Sequence, residues 1–438
     1  MPRLFLSLAV IIPLVCLAIP AGLNAQDASD YYDRGYNWID KGEYDKAIAE
    51  LSQAIRIDPY YADAYHERGY AWNAKGEYDR AITDLNRALK LDPNLALSYS
   101  ERGYAWNGKG EYDKAIADLN QALQLDPNIP AAYGERGYAW NCKQEFDKAI
   151  ADLNRAIQLA PDFAGNYHER GYAWSSKGDH ERAIADYTQA LRIDPKRPMT
   201  YHNRSCSWNE KGEYDKAIDD ADQSIGLDPD YAPAYNNRGI SWMRKHEYDK
   251  ARDDFDKALQ LDPKLAAAYN NRGWYWGEQG DYDKAMADLD QALKLDPKLV
   301  WAYNNRGWVW KKRGVFDKAV ADYNQALQID PNHANTYMKI GWLQATCPDE
   351  KYRDAKKSFE NANKAYQLNR GKDWNYIDTL AAVYAENKDF ETAREWAAKA
   401  LKMAESDKTT TDKDKQDLKG RLELYKQDKP YREEPKPL

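Results

Sequence analysis

The chain has 438 residues, 63 of them basic and 71 acidic, for a net charge of −8. That acidic balance argues against the basic surface that nucleic-acid binding requires. A length that would ordinarily divide into two or three domains is here filled by repetition. Residues 1–25 carry Arg3 ahead of an apolar run and end at Ala25-Gln26, which predicts a cleaved secretory signal peptide and an exported, periplasmic or secreted chain. The run from Leu4 to Leu23 could just span a bilayer as an uncleaved anchor, but Pro13 and Pro20 interrupt it. Membrane contact is therefore expected only through this segment, and only if it is retained.

Residues 28–333 are nine copies of one 34-residue unit, beginning at Ala28, Ala62, Ala96, Pro130, Ala164, Pro198, Ala232, Ala266 and Val300. In the copy that starts at Ala62, taken as position 1, Tyr65 (position 4), Gly69 (8) and Trp72 (11) share one helical face. Ala81 (20), Leu85 (24) and Ala88 (27) share another. Two helices follow from this, with Gly76 (15) in the turn between them and Pro93 (32) closing the second. Neither helix can bury its face alone, so neighbouring copies must stack around a continuous core. Residues 334–407 hold two divergent copies, starting at Ala334 and Trp374. Residues 408–438 are read as a charged linker and a C-terminal capping helix.

This pattern resembles the tetratricopeptide repeat, with Tyr at 4, Arg at 7 and Trp at 11 where the usual form has Trp, Leu and Tyr. The resemblance implies an all-α fold, a right-handed α-α superhelical solenoid. It also implies peptide binding on the inner face, through positions 2, 5, 6, 9, 12 and 13 of the first helix. The stretches LQATCPDEKYRDA and RLELYKQDKPYRE are similar to the closing module of many bacterial members.

Arginine at position 7 (Arg34, Arg68, Arg102, Arg136 and on to Arg306) puts a cation into a packed face, where an unpaired charge costs several kcal/mol. Position 23 is acidic in the same nine copies, from Glu50 and Asp84 to Asp322. Each arginine is expected to pair with such a carboxylate, in its own copy or a neighbour.

The inner face changes along the chain. In the first five copies position 9 is tyrosine (Tyr36, Tyr70, Tyr104, Tyr138, Tyr172) and position 6 acidic (Asp33, Glu67, Glu101, Glu135, Glu169). An acidic groove floored by tyrosine favours basic, partly apolar segments. From the sixth copy position 6 is Asn203, Asn237, Asn271 and Asn305, and position 9 comes to hold Trp274, Trp308 and Trp342. These resemble the asparagine ladder by which some family members grip an extended peptide backbone, with the tryptophans as side-chain pockets.

No phosphate loop, nucleophile motif or metal-ligand spacing is present. His66, His168 and His202, at position 5, are read as solvated groove residues. No disulfide is expected among Cys142, Cys206 and Cys347, and no metal or cofactor. The expected function is a non-catalytic scaffold that holds a partner protein or an extended peptide in its concave groove. The alternatives are a membrane-anchored assembly or biogenesis factor and a regulatory subunit of a separate enzyme.

Overall fold

The computed structural model describes residues 25–407 and 409–433. The signal-peptide expectation for residues 1–25 thus lies outside the described residues, apart from Ala25. Among the described residues there are 23 α-helices, one short 3-10 turn and no strand. No described helix is long and apolar enough to cross a membrane.

The chain divides into two compact units, residues 1–195 and 196–438. Unit 1 is five helix pairs: α1 Ala25–Asp40 with α2 Tyr44–Ile57, α3 Ala62–Ala74 with α4 Tyr78–Leu91, α5 Ala96–Gly108 with α6 Tyr112–Leu125, α7 Pro130–Cys142 with α8 Phe146–Leu159, and α9 Ala164–Ser176 with α10 His180–Ile193. Unit 2 begins with four more: α11 Pro198–Glu210 with α12 Tyr214–Leu227, α13 Ala232–Arg244 with α14 Tyr248–Leu261, α15 Ala266–Glu278 with α16 Tyr282–Leu295, and α17 Val300–Lys312 with α18 Phe316–Ile329. It continues through α19 Ala334–Thr346, α20 Ala355–Asn369, α21 Trp374–Glu386, α22 Phe390–Ser406 and α23 Asp412–Lys426. The fold is the all-α solenoid of paired helices that the 34-residue period predicts.

Local chemistry sets each hairpin. Gly76 adopts φ 74°, which lets its own N–H reach Asn73 O at 2.9 Å and the Glu77 N–H reach Trp72 O at 2.9 Å, so the chain reverses on one residue. Gln144 and His246 hold the same left-handed conformation, each at φ 61°, without being glycine. At the far end of the copy the Asp92 carboxylate accepts from the Asn94 N–H at 2.8 Å and folds the chain over Pro93.

The core is built from small residues facing one large one. Ala81, Leu85 and Ala88 are wholly buried. A Cβ on Gly69 would sit 2.7 Å from Leu85 Cγ, so position 8 must be small for position 24 to enter. The sixth copy inverts this exchange. Ser205 replaces the glycine and Ala221 the large residue, and the Ser205 hydroxyl donates to Ala217 O at 2.5 Å.

The position-7 arginines pair as expected, each within its own copy. Arg136 donates to Asp152 through Nε at 2.7 Å and Nη2 at 2.6 Å, a two-pronged contact between largely buried side chains. Its Nη1 reaches back to Asn120 Oδ1 of the preceding copy at 2.7 Å. That third partner is Ser52, Asn86, Asn120 or Asn154 in unit 1. For Arg238, Arg272 and Arg306 of unit 2 it becomes a second carboxylate, Asp222, Asp256 or Asp290. Hydrogen bonding to the position-23 carboxylate, reinforced by this second acid, drives the Arg238, Arg272 and Arg306 guanidiniums further into their charged form despite burial.

Candidate peptide-binding faces

Positions 6 and 9 lie three residues apart on the first helix of each copy and so share one side of it, the side that the family resemblance assigns to the inner face. In unit 1 this gives a row of tyrosines beside a row of glutamates. Tyr70, Tyr104, Tyr138 and Tyr172 remain 37–43% exposed although they are large aromatic side chains. Three of them lean edge-on against the aromatic at position 17 of the preceding copy: Tyr104 on Tyr78, Tyr138 on Tyr112 and Tyr172 on Phe146, with ring centres 6.2–6.5 Å apart.

The glutamates are half-buried and fixed. Asn73 Nδ2 donates to Glu101 Oε2 and to its backbone O, both at 2.9 Å, and Asn107 does the same for Glu135. Asn141 continues the series onto Glu169. Burial, then repulsion from neighbouring acids, pushes the Glu67 carboxyl up to about 7. Burial lifts Glu135 to about 7 as well, against the Asn107 hydrogen bond, and Glu101 moves in the same direction. Glu67, Glu101 and Glu135 of unit 1 therefore form a line of carboxylates short of counter-charge. The position-12 asparagines that hold it were not singled out from sequence, although their 34-residue recurrence at Asn73, Asn107 and Asn141 was the available signal.

Unit 2 is different. Three of its position-6 asparagines are engaged with other side chains. Asn237 is buried and donates to Ser205 Oγ at 2.7 Å. Asn271 donates to Asn236 and accepts from Asn270, and Asn305 donates to Asn270, all at 3.0 Å. Asn203 is half-buried on the same face. Trp274 and Trp308 are half-buried beneath cations, Arg244 at 5.2 Å and Lys339 at 5.5 Å from the ring centres. Trp342 is covered by the chain's own C-terminal segment. Its indole Nε1 donates to Glu433, and its ring lies 5.9 Å from that of Tyr431.

That segment is the main feature the sequence did not reveal. After α23, Asp428 turns the chain at φ 54°, and residues 429–433 run without helical structure back to α17 and α19. Lys311 and Lys312 (positions 12 and 13 of the ninth copy) donate to Glu433 at 2.9 and 2.8 Å. Burial alone would raise the Glu433 carboxyl, but these two ammonium groups hold it well below the usual carboxylate range.

The histidines correct an expectation. His168 is buried, and His66 and His202 are half-buried rather than solvated. His66 Nδ1 shares a hydrogen bond with Ser98 Oγ at 2.9 Å, and burial pushes His202 down to about 4. Among the described residues no group of three His, Cys, Asp or Glu side chains could hold a metal ion. Cys142, Cys206 and Cys347 are free thiols, and Cys142 is exposed.

Sequence profiles of the tetratricopeptide repeat match residues 96–129, 232–265 and 300–333, and a second such profile matches 164–197. A further TPR-repeat profile matches 31–73, 69–106 and 278–314. Together they span about half of the chain, in both units. The chain belongs to the tetratricopeptide-repeat family. Among solved structures, the Cut9–Hcn1 hetero-tetramer of the APC/C aligns over 91% of this chain and 97% of its own at 14% identity, with a TM-score of 0.53. Yeast Tom70 aligns over 92% and 96% at 16% identity, with a TM-score of 0.43. At 14% identity the likeness to Cut9–Hcn1 is one of fold. No curated protein sequence matches the chain.

Proposed function

We propose that this tetratricopeptide-repeat chain is a non-catalytic interaction scaffold, and that the inner face of unit 1 takes an extended, basic, partly apolar segment of a partner protein. The observation that carries this reading is the paired row of exposed tyrosines and half-buried glutamates at 34-residue spacing. A cationic side chain brought beside Glu101 or Glu135 supplies the counter-charge those carboxylates lack. Flat tyrosine faces give apolar contact at low entropic cost. The encounter is proposed to occur outside the cytoplasm, on the strength of residues 1–25. Mass spectrometry of the mature chain tests this, expecting an N-terminus at Gln26.

The binding test uses two fluorescent sixteen-residue peptides, one alternating lysine with leucine and the other glutamate with leucine. The basic peptide should bind the full chain, and a Tyr104→Ala, Tyr138→Ala, Glu101→Gln, Glu135→Gln variant should weaken it at least tenfold. Equal binding of both peptides, or no loss in the variant, overturns the reading.

A further inference from the structure

The inner face of unit 2 holds a cationic cradle that unit 1 lacks. Lys311 and Lys312 converge from the last turn of α17, and Trp342 of α19 directs its indole N–H at the same carboxylate. Lys339, also on α19, stacks over Trp308 at 5.5 Å. Among the described residues no carboxylate lies within ion-pair distance of Lys339. Burial and the neighbouring Lys311 bring it down to about 7, with only a partial offset from Glu278. Two ammonium groups thus bond Glu433, and the third, Lys339, has no carboxylate bonded to it among the described residues.

The glutamate belongs to a segment that already lies in the cradle as a peptide ligand would. The Glu433 N–H donates to Thr346 O at 2.9 Å, and Arg432 Nη1 donates to Ala345 O at 3.1 Å. Arg432 Nη2 pairs with Glu386 at 2.6 Å. Tyr431 and Trp342 both lie against the Arg421 guanidinium, at 5.5 and 5.4 Å. Backbone contacts, one anchoring carboxylate and one aromatic are the elements of extended-peptide recognition. None of them requires the occupant to be covalently part of this chain.

We propose that Lys311, Lys312, Lys339 and Trp342 form a binding site for an acidic extended segment of a partner protein, and that Tyr431–Glu433 is its built-in competitor. A segment tethered through residues 427–430 to the end of α23 has an effective concentration in the millimolar range. A partner must therefore match the aromatic and carboxylate together, or carry further acids that reach Lys339, to displace it. The partner chemistry is opposite to that proposed for unit 1, and neither assignment depends on the other.

The test is a fluorescent peptide with the sequence of residues 428–433, DKPYRE, titrated into full-length chains. A Glu433→Lys chain, whose own tail is repelled from the lysines, should bind it at least tenfold more tightly than the wild type. Adding Lys311→Ala and Lys312→Ala should abolish that binding, and so should Glu→Gln in the peptide. The unit 1 substitutions at Tyr104 and Glu135 should leave it unchanged, so failure here is separable from failure of the unit 1 reading. If Glu433→Lys disturbs folding, Glu433→Gln serves with the same readout, and a smaller gain is expected. Absence of peptide binding to a folded Glu433 variant overturns the proposal, as does binding that survives loss of both lysines.

Discussion

Units 1 and 2 share one backbone plan but use it in opposite ways. In unit 1 each paired arginine from Arg68 to Arg170 has one carboxylate and a neutral third partner, and the inner face presents tyrosines to solvent beside half-buried glutamates. In unit 2 Arg238, Arg272 and Arg306 each sit between two carboxylates. There the inner-face asparagines bond to one another, and the chain's own end covers the tryptophan at Trp342. The positions that make the solenoid barely vary, whereas position 6 of the first helix goes from glutamate through asparagine to Lys339. A repeat scaffold allows this because its core lies between helices and its inner side chains are not needed to fill it.

The sharpest way to break this comparison is through the arginines. Asp152→Asn leaves the half-buried Arg136 with amides only and should cost about 3 kcal/mol. Asp288→Asn leaves Arg272 still paired with Asp256 and should cost about 1 kcal/mol. Hydrogen exchange of α7–α8 and of α15–α16 reads each loss locally, and equal losses would erase the distinction between the units.

The next effect is on pH dependence. Glu67 and Glu135 bind protons in the folded chain up to about pH 7, whereas the unfolded chain releases them near the ordinary value of 4.5. Their contribution to unit 1 is therefore full below pH 4.5 and is lost as pH rises through 7. Glu135→Gln should raise unit 1 stability by about 1 kcal/mol at pH 8 and leave it unchanged at pH 4. The Glu433 carboxyl is displaced the other way. Its contribution is present above the ordinary carboxylate range and is lost as pH falls below it, so amide protection at residues 431–433 should decline only under acid. Exchange profiles at pH 4, 6 and 8 that move in the same direction in both places would contradict this.

Smaller still is the cost of the two turns that lack glycine. Gln144→Gly should stabilise unit 1 by about 1 kcal/mol by relieving a left-handed conformation. His246→Gly should gain less, because His246 Nε2 also contacts Thr409 O at 3.2 Å and Nδ1 meets Tyr248 Oη at 2.9 Å. The smallest effect is expected from Asn120→Asp, which gives Arg136 the second carboxylate found in unit 2. The site is exposed, so a few tenths of a kcal/mol are expected. Thermal unfolding of the three variants ranks them.

The candidate face of unit 1 was legible residue by residue, since Tyr70, Tyr104, Tyr138, Tyr172, Glu101 and Glu135 all fall at two fixed positions of the period. What the sequence did not disclose there was the strain on the glutamates. That depends on how deeply the next copy buries them and on the asparagines that reach across. In unit 2 the same reasoning placed Asn271, Asn305 and Trp342 on the inner face but not what they touch. Each side chain could bond to a peptide or to its neighbour, and spacing does not choose between the two.

Sequence alone determined the helix pairs, the small-against-large core and the pairing of each position-7 arginine with an acid. In a solenoid these contacts join residues at constant separations, 16 for every arginine and its carboxylate, so the period encodes them. Only the tertiary structure decided what occupies the inner face of unit 2. The contacts of Glu433 with Trp342 and Lys311 span 91 and 122 residues, separations that follow no period. They form because two adjacent lysines at the end of α17, with Trp342 of α19 packed beside them, leave a charge excess that a nearby tethered carboxylate neutralises.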